Sequence, residues 1–298
     1  MRLISSVRFH TDKTREYLIY KINHLFRALN GELPKVRSIE ETILHIIEKK
    51  ASICRFGDGE LCIIKGESIE FQDYDPQLAL RLCDILLTSS PQIFICIPPV
   101  FDSMNGLTKE AQTFWKFYQN KKFYIWKQYL NTRREYYNAF VTRPYMAYRD
   151  KTYSPILFKN IREIWKEKNV LLVEGYESRI GVGNDLLNNV KSVKRILCPS
   201  ENGYKVYKQI LDNLINEDKT HLVLIALGPT ATVLAYDLSL KGFQALDIGH
   251  IDIEYEWFLR KSLRKIKIPL KYTNEAEGGK ENLDFSDAHY ESQILLRI

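Results

Sequence analysis

The stretch Leu171-Leu172-Val173-Glu174-Gly175-Tyr176-Glu177-Ser178-Arg179-Ile180-Gly181-Val182-Gly183-Asn184-Asp185-Leu186 decides how the rest of the chain is read. Together with Val170 it opens as a short apolar run without alternation, the pattern of a strand buried on both faces. A loop with three glycines follows, then an acidic-polar opening to a helical segment. Strand, glycine loop and helix in that order offer bare backbone N–H groups to a phosphate. The same glycines also suit a plain tight turn, so the loop alone does not assign a ligand.

Working outward, the same alternation recurs. Downstream, 193–198 reads as a strand and Ser200 as the cap of a helix with Tyr204, Tyr207, Ile210, Leu211 and Leu214 on its apolar face. A strand over 222–227, a helix over 231–240 stopped by Gly242, and a last strand over 244–248 complete that half. Upstream, Ser38 and Glu41 have capping-box spacing before a helix with Ile39, Ile43, Ile46 and Ile47 on one face. A strand over 51–56 runs into Gly57-Asp58-Gly59-Glu60. Asp75-Pro76 starts a helix that buries Leu78, Leu82, Ile85 and Leu86, and a strand over 93–97 ends at Pro98-Pro99. Strands alternating with helices predict an α/β fold, Rossmann-like, with a mostly parallel sheet and right-handed crossovers.

Three regions depart from that rhythm. Residues 1–35 form a basic amphipathic arm in which Tyr17, Leu18, Tyr20, Ile22, Leu25, Phe26 and Leu29 interleave with Lys13, Arg15, Lys21 and Arg27. Such a helix suits either a membrane surface or its own domain. Residues about 100–168 form an aromatic-rich insertion, helical apart from an expected strand over 122–126. Its rings fill a core or stack on sugars, which makes it the expected acceptor region. Residues 276–298 read as a polar tail behind a main domain at 36–275.

Composition narrows the class. A chain of 298 residues, 45% hydrophobic and 27% charged, has the make-up of a globule that buries a large core. Its net charge of +6 suits an anionic ligand but is well short of a nucleic-acid-binding stripe. Five cysteines without a C-x-x-C pair read as reduced thiols of a cytoplasmic protein. No apolar run reaches the ~18 residues of a membrane span, and no secretory h-region opens the chain.

Ligands of such a sheet bind beyond the carboxyl ends of its strands. Four polar sets stand there: 55–60, 174–185, 228–230 and 249–256. Asp-x-Glu occurs twice, as Asp58-Gly59-Glu60 and Asp252-Ile253-Glu254, each just after an expected strand. Two carboxylates one residue apart hold a hard divalent ion whose shell nucleotide phosphates complete; spacing does not decide between the pairs. Gly228-Pro229-Thr230 opens a helix whose N–H groups suit an anion. Arg55 and Arg179 supply cations for a diphosphate, with Gly181, Gly183 and Asn184 in the loop. His250, among Asp252, Glu254 and Glu256, suits proton transfer, as does Glu256. His10, His24, His45, His221 and His289 lack such company.

Arg55-Phe56-Gly57-Asp58-Gly59-Glu60, Ser178–Leu186, Gly228-Pro229-Thr230-Ala231 and Asp247–Trp257 together resemble, in order, the GT-D-type glycosyltransferases. That family was first described as a domain of unknown function in bacterial glycoprotein and surface-glycan pathways. The resemblance implies a GT-D-like transferase moving a hexose from a nucleotide-sugar, typically a UDP-sugar. The acceptor would be a hydroxyl of a glycan, glycoprotein or lipid-linked molecule. It also implies Mn2+ or Mg2+ at an Asp-x-Glu motif. The reduced cysteines and the basic arm, for their part, suit a cytoplasmic protein whose arm touches the inner face of the membrane. Two other classes fit parts of the pattern. A dinucleotide oxidoreductase would use Gly181-Val182-Gly183 with Glu201, although Leu186 stands where a third glycine or alanine belongs. A metal-dependent phosphohydrolase would use both carboxylate pairs.

Overall fold

The apolar runs assemble into one sheet. The computed structural model describes residues 2–280 and 286–298, with side chains from residue 14 onward except residue 16. Residues 281–285 of the expected tail, and the side chains of His10 and Lys13, lie outside the described residues.

The chain begins with α1 (Arg2–Leu29), β1 (Lys35–Val36), α2 (Ile39–Lys49), β2 (Ser52–Arg55), α3 (Asp58–Ile64), α4 (Pro76–Leu87) and β3 (Ile93–Ile97). It continues with α5 (Lys109–Tyr129), β4 (Glu135–Asn138), α6 (Ser154–Glu163), β5 (Asn169–Gly175) and β6 (Ser192–Cys198). Last come α7 (Tyr207–Leu214), β7 (Leu222–Ala226), α8 (Pro229–Leu240), β8 (Gln244–Asp247), α9 (Ile251–Leu259), α10 (Ala288–Gln293) and β9 (Ile294–Arg297). The strands pair in the order β1-β4-β3-β2-β8-β7-β5-β6-β9, every pair parallel. Helices cover the sheet, so the central strands are buried on both faces. Val170 to Val173 and Val223 to Ile225 are each fully buried, as their unbroken apolar sequence requires.

Local signals worked where they were strongest. The Ser38–Glu41 box closes in both directions, at 2.9 and 3.1 Å. Asp75 caps α4 through Gln77 and Leu78 N–H groups, and Leu78, Leu82, Ile85 and Leu86 face inward. On α2, however, Thr42 takes the inward position and Ile47 is exposed.

Five local expectations are corrected. The segment 122–126 is not a strand but the last part of α5. Trp115, Tyr118, Gln119, Phe123 and Trp126 recur there at helical spacing and are all buried. The supposedly helical insertion contains β4, which buries Tyr136. Ser200 does not cap the next helix: a 3-10 turn over Gly203–Val206 precedes α7, with Asn202 at its start. No helix follows the glycine loop; turns alone join β5 to β6, and Leu186 and Leu187 plug that loop into the core. The strand at 244–248 is not the last, because β9 adds itself beside β6. The five cysteines are free thiols.

This topology positions the site. β2, β8, β7 and β5 stand side by side. Their carboxyl ends lead into the four polar sets picked out from sequence, so those loops share one rim. A flap over 264–280 then runs along that rim.

Candidate active site

Arg55, at the end of β2, is pinned on several sides. Its Nε and Nη2 donate to Asp247 at 2.9–3.2 Å, and Nη1 donates to Thr142 Oγ1 at 2.6 Å. Thr232 Oγ1 donates to the Arg55 carbonyl at 2.9 Å. Gly249 fits against this knot: a Cβ there would lie 1.9 Å from Arg55 Nη2, and its φ of +44° suits glycine. Arg55 therefore ties β2, β8 and the 139–142 turn together.

The next turn carries the first Asp-x-Glu pair at the start of α3. Glu60 folds back and accepts the Gly57 N–H at 2.7 Å. Burial, then the nearby Asp247 charge, pushes its carboxyl up to about 7 against that hydrogen bond. Asp58 lies at the lip, open to solvent. Protein crowding raises its carboxyl, and the Arg143 charge opposes the shift. Among the described residues, no hydrogen bond or ion pair engages the Asp58 carboxylate.

The second pair is more heavily engaged. Asp252 Oδ1 accepts the Gly181 N–H at 2.8 Å and Asn184 Nδ2 at 2.9 Å, while Oδ2 meets Lys271 Nζ at 2.6 Å. Asn184 also donates to Glu256 at 2.7 Å, Lys271 lies 3.4 Å from Glu256, and Arg260 reaches its other oxygen at 3.3 Å. Glu254 points elsewhere and accepts the Tyr145 and Met146 N–H groups at 3.1 and 2.8 Å. Asp252, Glu254 and Glu256 are all buried. Asp252 and Glu256 fasten the glycine loop and flap to α9. Gly181 needs its φ of +76°, and a Cβ there would lie 2.9 Å from Leu187 Cδ1. Behind it, buried Glu174 pairs with Arg195 and accepts the Ile180 N–H at 2.7 Å. Arg179, also in a left-handed conformation, donates to the Leu270 carbonyl on the flap. Gly183 has a φ of +76° in the same loop.

His250 stands at the start of α9. Its Nε2 lies 2.6 Å from Asn274 Oδ1 and its Nδ1 3.1 Å from Arg143 Nη2. An amide oxygen accepts and a guanidinium donates, so the ring is neutral with the proton on Nε2. Burial, then the Arg143 charge, lowers its pKa to about 4. Arg143 also binds Glu275 at 2.6 Å, and Lys265 reaches the second oxygen of Glu275. Burial alone would raise the Glu275 carboxyl; Arg143, His250 and Lys265 outweigh it and hold it far below the usual range.

At the head of α8, Gly228 has a φ of +54° and lies under the Phe71 ring, 2.5 Å from where a Cβ would stand. Pro229 takes the first turn. Thr230 is fully buried, and its hydroxyl has no hydrogen-bond partner among the described residues. The expected anion site at this helix start is thus covered by Phe71 and Gly203 in this conformation.

The rim therefore holds two neighbouring groups: Asp58, Arg143, His250 and Glu275 on one side, and Asn184, Asp252, Glu256 and Lys271 on the other. Sequence reading missed Arg143, Lys271, Asn274 and Glu275. Each is a single polar residue on an irregular segment, with no motif around it.

A parallel α/β sheet with such a charged rim, built from the matching sequence blocks, has the architecture of a glycosyltransferase fold. The chain belongs to the GT-D family: the model of the glycosyltransferase GT-D fold matches residues 53–276. The probable glycosyl transferase Gly of Streptococcus gordonii is 40% identical over 266 residues, covering 88% of this chain and 39% of that protein. Glycosyltransferase GlyD of Streptococcus pneumoniae serotype 4 is 37% identical, covering 90% and 33%. The chain thus spans well under half the length of these curated relatives. A solved domain of unknown function 1792, described as having a distinct glycosyltransferase fold, superposes with a TM-score of 0.87 at 38% identity, covering 95% of this chain and 99% of that one. A glycosyltransferase from Streptococcus sanguinis superposes at 0.85 with 39% identity, covering 89% and 99%.

Proposed function

We propose that this chain moves a hexose from a nucleotide-sugar, a UDP-sugar by preference, to an acceptor hydroxyl, with Mn2+ or Mg2+ held at Asp58 and Glu60. The observation that carries this is the contrast between the two Asp-x-Glu pairs. Asp58 keeps an open, unpartnered carboxylate at the rim, whereas both oxygens of Asp252 are taken up by N–H groups and Lys271, and one oxygen of Glu254 by two N–H groups. Among the described residues no group of three or more His, Cys, Asp or Glu forms a metal cage. Two carboxylates would leave the remainder of an ion's shell to substrate phosphates.

When bound, the ion neutralises charge on the departing diphosphate. The chain does the rest. Asp58 would hold the ion, with Glu60 lending its second oxygen while its first fixes Gly57. Gly181, Gly183 and Asn184 hold the loop that faces the donor, with Arg179 at its edge and Arg55 as the brace beneath. Gly228, Pro229 and Thr230 would line the donor site once Phe71 swings aside. His250 is neutral at neutral pH; its Nδ1 lone pair accepts from Arg143 in this conformation and would receive the acceptor proton once that hydrogen bond is released. Glu256, whose oxygens meet Asn184, Lys271 and Arg260, positions the loop in this reading.

The acceptor is a glycan, glycoprotein or lipid-linked hydroxyl, contacted by the aromatic α5 region, where Phe114, Phe117 and Tyr124 are exposed. No described helix is long and apolar enough to cross a membrane. The arm helix α1 exposes Leu18, Ile22, Leu25, Phe26 and Leu29 on one side, which supports a peripheral contact with the inner membrane face of a cytoplasmic enzyme.

A panel of nucleotide-sugars, read by nucleotide release with Mn2+ and with excess chelator, tests the proposal. Release from at least one UDP-sugar, lost with chelator, is expected. Undiminished release in chelator would remove the metal from the mechanism. Reduction of a nicotinamide cofactor, or phosphate release without a sugar donor, would favour the oxidoreductase or phosphohydrolase instead.

A further inference from the structure

The flap carries a carboxylate held between two cations. Glu275 receives Arg143 Nη2 at 2.6 Å on one oxygen and Lys265 on the other. Two cations gripping one anion is the arrangement that phosphate recognition uses. Arg143 follows the 139–142 turn beyond β4 and approaches from the sheet, whereas Lys265 and Glu275 come from the flap. Among the described residues only Nη2 of Arg143 has a hydrogen-bond partner, shared between Glu275 and His250. Its other N–H groups stay available for a second anionic oxygen. Glu254 and then Asp58 are its other acidic neighbours, close enough for their fields to reach Arg143. Arg143 therefore grips the flap with the open carboxylate of the first Asp-x-Glu pair within electrostatic reach.

We propose that Arg143 and Lys265 form the clamp for the donor's diphosphate and that Glu275 occupies this clamp as an internal stand-in anion when no donor is bound. The proposal rests on the donor reading above. It adds two residues to the site and a competition: a diphosphate enters only as Glu275 leaves. Asn274, adjacent to Glu275, leaves with it and frees His250 Nε2, so donor entry and exposure of the imidazole are one event. The flap is a latch whose key is the substrate's own charge.

The test is calorimetric titration of inorganic pyrophosphate into wild type, Glu275→Gln, Arg143→Gln and the double variant, with thermal melts confirming that each is folded. Glu275→Gln keeps the size of the side chain and removes the competing charge. It should tighten pyrophosphate about tenfold, the order expected for a charge-assisted contact. Arg143→Gln should weaken it at least tenfold. In the double variant the gain from Glu275→Gln should vanish, because the cation it releases is gone. Should Arg143→Gln be poorly folded, Lys265→Gln takes its place, with a smaller loss expected at that more exposed cation. Pyrophosphate affinity unchanged or weaker in Glu275→Gln, or no binding to the wild type at millimolar concentration, would overturn the clamp. A wild type that turns over a UDP-sugar while Glu275→Gln gains nothing would sink the clamp alone. A clamp that behaves as stated in a protein that consumes no nucleotide-sugar would sink the donor reading instead.

Discussion

Replacing Lys271 by methionine removes the cation that two buried carboxylates share. Lys271 Nζ lies 2.6 Å from Asp252 and 3.4 Å from Glu256, and all three side chains are nearly sealed from solvent. Methionine fills much of the same volume, so the lost charge dominates the change. Stripping one partner from a buried ion pair costs about 3–5 kcal/mol, because the remaining charge is left in a poor solvent. Asn184 and the Gly181 N–H still reach Asp252, which argues for the lower half of that range. At this chain length each kcal/mol shifts the melting point by roughly 2–4 °C, so a fall of roughly 6–15 °C is expected. Thermal unfolding followed by circular dichroism measures it. Adding Asp252→Asn to Lys271→Met should recover at least ~1 kcal/mol, since it removes the stranded charge. A melting point within ~2 °C of wild type, or a further fall in the double variant, would refute the reasoning.

Other outcomes follow from the same geometry. Thr230→Val replaces a buried, unpartnered hydroxyl by a methyl and should leave stability unchanged or raise it by up to ~1 kcal/mol; a clear loss in chemical denaturation would mean that the hydroxyl has a partner. Gly249→Ala drives a Cβ into the bound head of Arg55 and strains a positive φ, so a loss of at least ~2 kcal/mol is expected in the same assay. His250 is held neutral, with its pKa lowered to about 4 from 6.5. Below pH 6.5 the unfolded chain takes up that proton before the folded one does, so this contribution is full above 6.5 and fades as pH falls towards 4. The stability of wild type relative to His250→Asn should therefore drop by as much as ~3 kcal/mol over that window, and a flat difference would contradict the assignment.

Much of the sheet was legible because a fully buried parallel strand has a signature that needs no partner to be seen. The run 93–97 is such a case: five apolar residues between turn signals, and five buried positions. β4 and β9 lacked that signature. They are short edge-side strands with polar or alternating residues, and their pairing is decided by neighbours far along the chain. The segment 122–126 misled because Phe123, Tyr124, Ile125 and Trp126 look like a strand in isolation; only the spacing back to Trp115 and Tyr118 reveals a helix. At the rim, the four loops were readable because each follows a strong strand and carries Gly, Asp or Glu. The charges that answer them were not. Lys271 and Glu275 sit on a flap without regular structure, and a lone lysine in a sequence carries no sign of which carboxylate it will meet. For the same reason, spacing alone left the two Asp-x-Glu pairs equivalent, and only the buried contacts of Asp252 separate them.

In the proposed mechanism the rim carries a metal-assisted donor site at the first carboxylate pair. The direct measurement is release of UDP from a consumed UDP-sugar, with and without Mn2+, by wild type and by Asp58→Asn. Mn2+-dependent release by wild type is expected, with a loss of at least ~100-fold in a fully folded Asp58→Asn, the scale of removing a principal electrostatic contact to the developing charge. Asp58→Asn turning over as fast as wild type, with the same response to Mn2+, would contradict it.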